Sequence, residues 1–268
     1  IEQIATLENN SIHLLEFILV LTEFNAVGTG QLLIFVHGVG LDRGMWCPVV
    51  DELKHEFTCV TFDLLGHGQA PDIDGVPSIQ KFTERLSNLV EKFQSPKPIL
   101  VGFSLGAMIV KRFVIDNPNS VKGLVITHSV FNRNSDQRKA IDKRLNSVQK
   151  NGIGEIIEPA IQRWFTKSFR KSNPSVLEKV RRTLLENNLS NYQKAYEAFA
   201  FADRELVPLV AKIECPTSII TGENDVNSTP SMAHALSKRI KGSDVKLLRG
   251  LAHGAPIEAP KKFAQAIK

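Results

Sequence analysis

Ser104, His253 and Asp225 are the residues whose types and settings could do chemistry together. A serine hydroxyl is a weak nucleophile at neutral pH and needs a base within hydrogen-bond reach. Histidine is that base when a carboxylate fixes its tautomer and balances the charge it gains. Ser104 lies in Gly102-Phe103-Ser104-Leu105-Gly106, between the apolar run Pro98 to Val101 and a helical pattern that continues to Asn117. A strand turning sharply into a helix pushes such a serine clear of the sheet, and glycines two residues before and after it remove side chains that would clash. The helix beginning there adds the positive end of its dipole.

Seven histidines are available as the base. His253, in Gly250-Leu251-Ala252-His253-Gly254, follows the last strand pattern and precedes a C-terminal helix, which places it in a loop at the strand ends. His128 also follows a strand and is its rival. His67, between Gly66 and Gly68, reads as structural, while His13, His55 and His234 fall in or beside regular elements. Asp225 directly follows the strand pattern Thr217 to Thr221 and is the expected acid, with Glu223 as a substitute. The chain order Ser, Asp, His matches one of the familiar triad orders and neither of the other two. The charge that develops on an attacked carbonyl oxygen calls for preorganised backbone N–H groups. Leu105 is expected to supply one, and Val39, in the loop His37-Gly38-Val39-Gly40, the other.

These residues need a sheet edge to converge on. β-rich runs at Ile12 to Phe17 and Leu19 to Phe24 read as an antiparallel entry to a sheet. Buried-strand patterns follow at Leu32 to Val36, Phe57 to Phe62, Pro98 to Gly102, Gly123 to Thr127, Thr217 to Thr221 and Val245 to Leu248. Helical patterns such as Ser78 to Phe93 and Ser231 to Ile240 separate most of them, so the expectation is an α/β fold with a mostly parallel eight-stranded sheet and helices on both faces. Residues 131–201 break the alternation with helical periodicity, Gly152-x-Gly154 and Pro174. They are expected to be a helical cap inserted after the sixth strand, over a core of residues 1–130 and 202–268.

Composition fits an ordinary globular chain: of 268 residues, 43% are apolar and 23% charged. The net charge of +5 is concentrated between Arg133 and Arg182, where 13 Lys/Arg face 5 Asp/Glu. With no nucleic-acid motif beside it, this reads as a solvated basic face. The apolar stretch Phe17 to Thr22 is too short to span a bilayer, and no secretory signal pattern occurs, so no membrane partner and a cytoplasmic location are expected. Cys47, Cys59 and Cys215 are odd in number and widely spaced, which argues against a disulfide framework or a zinc cluster. No metal or cofactor is implied, and the oligomeric state is left open.

With these motifs the sequence resembles the α/β-hydrolase superfamily from the Gly28 turn to the C-terminal helix. Within it the chain is similar to the 3-oxoadipate enol-lactonase group, through Leu41-Asp42-Arg43-Gly44-Met45-Trp46, Arg163-Trp164-Phe165-Thr166 and Ala202-Asp203-Arg204-Glu205 leading to Cys215-Pro216-Thr217. It departs at His37-Gly38, where the lactonases are expected to carry an Asn-Ser type turn, and at Ala107, where a third glycine is frequent. Esterases share the His-Gly form. The resemblance implies hydrolysis of a small ester or lactone, anionic in the lactonase case, whose approach a basic cap would favour. The expected pocket residues are His37, Gly38, Trp46, Phe103, Arg163 and Trp164. Carbon-carbon bond hydrolysis or perhydrolase activity on the same triad, and a non-catalytic ligand-binding receptor of the same fold, are the alternatives.

Overall fold

In the computed structural model, which describes residues 23–93 and 96–268, the apolar runs become the strands of one sheet. They are β1 (Phe24–Val27), β2 (Gln31–Val36), β3 (Phe57–Phe62), β4 (Ile99–Phe103), β5 (Gly123–Thr127), β6 (Thr217–Gly222) and β7 (Asp244–Leu248). Their spatial order is β1-β3-β2-β4-β5-β6-β7. β1 is antiparallel to β3, and every other pairing is parallel. The described residues thus form a seven-stranded sheet, not the expected eight-stranded one. The candidate strand at 12–17, and all but Glu23 and Phe24 of the one at 19–24, lie outside the described residues, and β1 runs on to Val27.

β5 is buried at every position, as a strand covered on both faces must be. Along β2 the side chains alternate between two cores. Leu32, Ile34 and Val36 join Met108 and Val110 on one side, while Leu33 and Phe35 join Trp46 and Phe263 on the other. The covering helices are α1 (Cys47–Leu53), α2 (Ile79–Glu91) and α3 (Leu105–Asp116). Ser78 starts α2, its hydroxyl accepting the Lys81 N–H at 3.4 Å.

Five helices lie between β5 and β6: α4 (Ser135–Asn151), α5 (Gly154–Trp164), α6 (Lys167–Ser172), α7 (Pro174–Leu185) and α8 (Leu189–Leu206). Asn134 and Gln137 close a capping box at the start of α4. Gly152, at φ 82°, ends α4, and Pro174 opens α7, so both expected breakers mark helix boundaries. After β6 come α9 (Pro230–Ser237), then α10 (Ala255–Glu258) and α11 (Pro260–Ile267) beyond β7. Among the described residues, no helix is long and apolar enough to cross a membrane, and no group of three metal-ligating side chains comes together.

β2 is the switch point of the sheet, with β3 on one side and β4 on the other. Loops leaving the carboxyl ends of β2 and β4 must diverge there, and the crevice between them is where an open α/β sheet offers room for a ligand.

Candidate active site

Ser104 occupies the turn between β4 and α3 at φ 54° and ψ −109°, in the left-handed half of backbone space that a side chain rarely enters. Neighbouring backbone over-determines this conformation. The Ser104 N–H donates to the Thr127 carbonyl at 3.1 Å, and the Ser104 carbonyl accepts the Ala107 N–H at 3.1 Å. A β-carbon on Gly102 would stand 2.5 Å from the Gly106 carbonyl oxygen, so the turn closes only with glycine there. Strain held in this way at a serine between a strand and a helix is an observation that points to function.

The β2/β4 register pairs Val36 with Gly102 and so brings the loop 37–40 beside the serine. A β-carbon on Gly38 would lie 3.2 Å from the Ser104 β-carbon. The backbone of this loop and the Leu105 N–H, in the first turn of α3 where amides have no intrahelical acceptor, therefore flank the serine. His37 fastens the loop. Its Nε2 accepts the Leu64 N–H at 3.0 Å, so Nδ1 carries the proton and donates to the Gly38 carbonyl at 2.8 Å. Burial lowers the His37 pKa to about 4 and that of His67, its edge-to-face neighbour, to about 3.

On the loops after β6 and β7, His253 Nδ1 donates to Asp225 Oδ2 at 2.7 Å, with both residues buried. The other Asp225 oxygen accepts the Asn227 and Ser228 N–H groups, each at 2.9 Å. Burial alone would raise the Asp225 pKa, but the His253 imidazole, with His128 and the Ser228 amide, more than offsets it and holds the carboxyl below its ordinary value. With Nδ1 committed to the aspartate, Nε2 of His253 is left with the basic lone pair. Glu223, the alternative acid, is exposed and accepts the Gly250 N–H at 2.9 Å instead.

His128, the alternative base, is fully buried behind His253, with ring centroids 5.5 Å apart, and does not reach the cavity wall. Burial lowers its pKa to about 3. Phe103 at 5.0 Å and Trp164 at 6.0 Å complete the aromatic surround of His253. The Gly254 N–H donates to the Trp164 carbonyl at 2.7 Å, and Glu258 accepts the Thr166 N–H at 3.0 Å, tying the end of α5 to the histidine loop.

Ser104 and His253 open onto one cavity of about 230 Å³. Of the residues expected to line it, Gly38, Phe103, Arg163 and Trp164 do so, as does Val39. His37 does not, since it is turned to Leu64. Trp46 does not either: it is buried among Phe35, Phe103 and Phe263 at 5.1, 6.2 and 6.0 Å, and it reaches the site only through Phe103.

The sequence reading missed the rest of the wall, which comes largely from α4 and α8. Arg133, Gln137, Ala140, Ile141 and Arg144 face the cavity, as do Tyr192 and Tyr196. Their spacings of three and four residues were a legible helix-face signal. Arg144 donates to the Tyr196 hydroxyl at 3.0 Å. Burial, and then the nearby Arg144, hold the Arg163 guanidinium below its ordinary value, and none of the groups acting on it is a carboxylate. The part of the wall formed by Arg144 and Arg163 is therefore basic.

A model of the alpha/beta hydrolase family matches residues 33–266. Over 241 residues the chain is 28% identical to (E)-2-((N-methylformamido)methylene)succinate hydrolase of Acinetobacter baylyi, with 90% of each chain covered. It is 26% identical over 244 residues to 3-oxoadipate enol-lactonase 1 of the same organism, covering 91% of this chain and 89% of that one. A thermophilic esterase from Thermogutta terrifontis, in a structure with malate bound, superposes with a TM-score of 0.82 at 27% identity, over 91% of this chain and 90% of the other.

Proposed function

Because the chain belongs to the alpha/beta hydrolase family, we propose that it is a serine hydrolase opening a small carboxylate-bearing ester or lactone, with Ser104 as nucleophile, His253 as base and Asp225 as orienting acid. The observation that carries the reading is the strained Ser104, at φ 54°, on the same cavity as a His253 held by Asp225 at 2.7 Å.

Ser104 Oγ attacks the carbonyl carbon as His253 Nε2 takes its proton. The Val39 and Leu105 N–H groups hold the oxyanion, each such donor being typically worth ~3 kcal/mol of transition-state stabilisation. The carbon–oxygen bond then breaks, and the leaving oxygen takes the proton from His253. Water attacks the acyl-enzyme with His253 again as base, releasing the acid and restoring the serine.

Residues 131–201 act in this reading as a cap over the core formed by 1–130 and 202–268, supplying Arg144, Arg163 and the two tyrosines to the substrate side of the cavity. Among the described residues no carboxylate pairs with the Arg144 or Arg163 guanidinium, which favours a substrate that brings one. The relative named for a succinate derivative and the esterase crystallised with malate are consistent with such a substrate.

Reaction with a fluorophosphonate probe, read by intact mass in the native protein and in Ser104→Ala, tests the proposal. Stoichiometric labelling that vanishes in the variant is expected. A folded native protein that takes no label would overturn it.

A further inference from the structure

Where the chain leaves β5 towards α4 and where it returns along α8, one carboxylate holds both crossings. Asp203, on the last turn of α8, is buried and accepts the backbone N–H of Asn132 at 2.9 Å and of Arg133 at 2.8 Å. Asn132 is kept at φ 55°, so the turn relies on those two bonds for its shape. Among the described residues no hydrogen bond joins Asp203 to the Arg133 side chain, although the Asp203 charge acts to offset that guanidinium.

That guanidinium is in an unusual position. Arg133 is 3% exposed, and its Nη1 reaches only the Phe199 and Ala200 carbonyls at 3.4 and 3.5 Å. Its charged carbon lies 4.3 Å over the Phe199 ring, and Nη2 is buried without any hydrogen-bond partner. Arg133 nevertheless lines the cavity that holds Ser104 and His253. A buried charged donor left unsatisfied is costly unless something arrives to satisfy it. Beneath the same junction Lys111, on α3, is 1% exposed and donates Nζ to the Ser129 hydroxyl at 2.9 Å. Asp203 and Arg133 are the charged groups that act on it. Two buried cations therefore share one anion beside the cavity.

We propose that Arg133 is a further group that pairs with the substrate's carboxylate, and that Asp203 is a positioning residue which holds Arg133 at the cavity wall through its two backbone bonds. This rests on the hydrolase reading of the cavity. It adds Arg133, where the chain enters the helical segment, to Arg144 and Arg163 as a source of charge selection.

The test compares a neutral aryl ester, 4-nitrophenyl butyrate, with its carboxylate-bearing counterpart, mono-4-nitrophenyl glutarate, in the native protein, Asp203→Asn and Arg133→Met. The readout is the ratio of kcat/KM for the charged to the neutral ester. A fall of roughly tenfold or more is expected in both variants, carried by KM, because a hydrogen bond to a charged group is lost. The double variant should fall no further than Arg133→Met alone, since the two act as one unit.

Equal losses on both esters would reduce Asp203 to a structural role and overturn the proposal, as would an unchanged ratio in Arg133→Met. That variant keeps both Asp203 backbone bonds and so remains decisive if Asp203→Asn does not fold. Failure of the hydrolase reading itself is distinguishable, because native protein would then take no fluorophosphonate label and turn over neither ester.

Discussion

The carbonyl oxygen of Val36 stands 2.1 Å from where a β-carbon on Gly106 would have to be. β2 and the first turn of α3 are thus in backbone contact, and this contact sets the loop after β2 against the turn that carries Ser104. A Gly106→Ala variant must push strand and helix apart. It is expected to lose roughly 2 to 4 kcal/mol of stability, or to fail to fold, in the range of changes that overpack a core. Urea denaturation checks this, with Ala107→Gly, on the same turn, as the comparison expected to cost about 1 kcal/mol as a helix substitution.

The 2.7 Å bond between His253 and Asp225 predicts how the triad variants rank. Ser104→Ala and His253→Ala should each lower kcat by several orders of magnitude, and combining them should cost little more than either alone, because the residues act as a unit. Asp225→Asn should lower kcat by roughly 10⁴ while leaving KM nearly unchanged, since an amide can hold the imidazole in the wrong tautomer. Glu223→Gln, which alters only an exposed side chain bonded to Gly250, should leave kcat within about twofold by the same logic. Steady-state kinetics on one activated ester separates these outcomes.

Arg144 and Arg163 approach each other on the cavity wall without a carboxylate between them. Replacing either with Met should raise KM for a carboxylate-bearing ester by roughly tenfold and weaken inhibition by free dicarboxylates to a similar degree. Arg144→Lys should recover little of it, because a point charge cannot reproduce the planar fork that also binds the Tyr196 hydroxyl. Inhibition constants for succinate and malate are the direct measurement.

His37, His67 and His128 are buried, and burial lowers their pKa values to about 4, 3 and 3. A histidine free in the unfolded chain titrates near 6.5. Between these values the unfolded state binds more protons, so stability falls as pH drops below about 6.5 and levels off, for these groups, near pH 3. Urea midpoints should therefore decline steeply from pH 6.5 to pH 4. His128→Phe should flatten that decline, because it removes one of the three groups while keeping the ring contacts with Phe103 and Phe263.

Lys111 acts in the same direction at higher pH. Burial lowers its pKa to about 7, against 10.5 in the unfolded chain. The unfolded state binds the extra proton between those values, so the burial cost of this group is greatest below pH 7 and is relieved as pH rises towards 10.5. Lys111→Met should raise stability most below pH 7, by on the order of a few kcal/mol, with the gain shrinking at alkaline pH. A native-like dependence in the variant would assign the effect elsewhere.

Much of the fold was legible in the sequence because it depends on local alternation. Apolar runs of strand length, separated by helical spacing, specify a parallel sheet whichever residues fill the layers, and six of the expected strands appear within a residue or two at each end. The motif around Ser104 specified its own turn, since the strain at φ 54° is met by glycines two positions away on either side. Chain position past a strand end sufficed to bring Ser104, Asp225 and His253 to one edge of the sheet.

Only the tertiary structure decided where side chains point once there. Glu223 and Asp225 are two residues apart on one loop, and the turn buries Asp225 against His253 while sending Glu223 to Gly250. His128 and His253 follow different strands of the same edge, but packing between Phe103 and Phe263 puts His128 behind the cavity. Trp46 and His37 sit in segments that reach the site, yet one fills the core and the other binds the Leu64 amide. Arg133 and Arg144 lie in a helical segment whose basic charge suggested a solvated face, and Asp203 reads only as part of a family-like segment, whereas the structure buries Arg133 and Asp203 and sets both arginines on the cavity wall. Spacing in a sequence fixes the element and its face. Burial, and the partners that satisfy or fail to satisfy a buried charge, come from contacts between residues far apart in the chain.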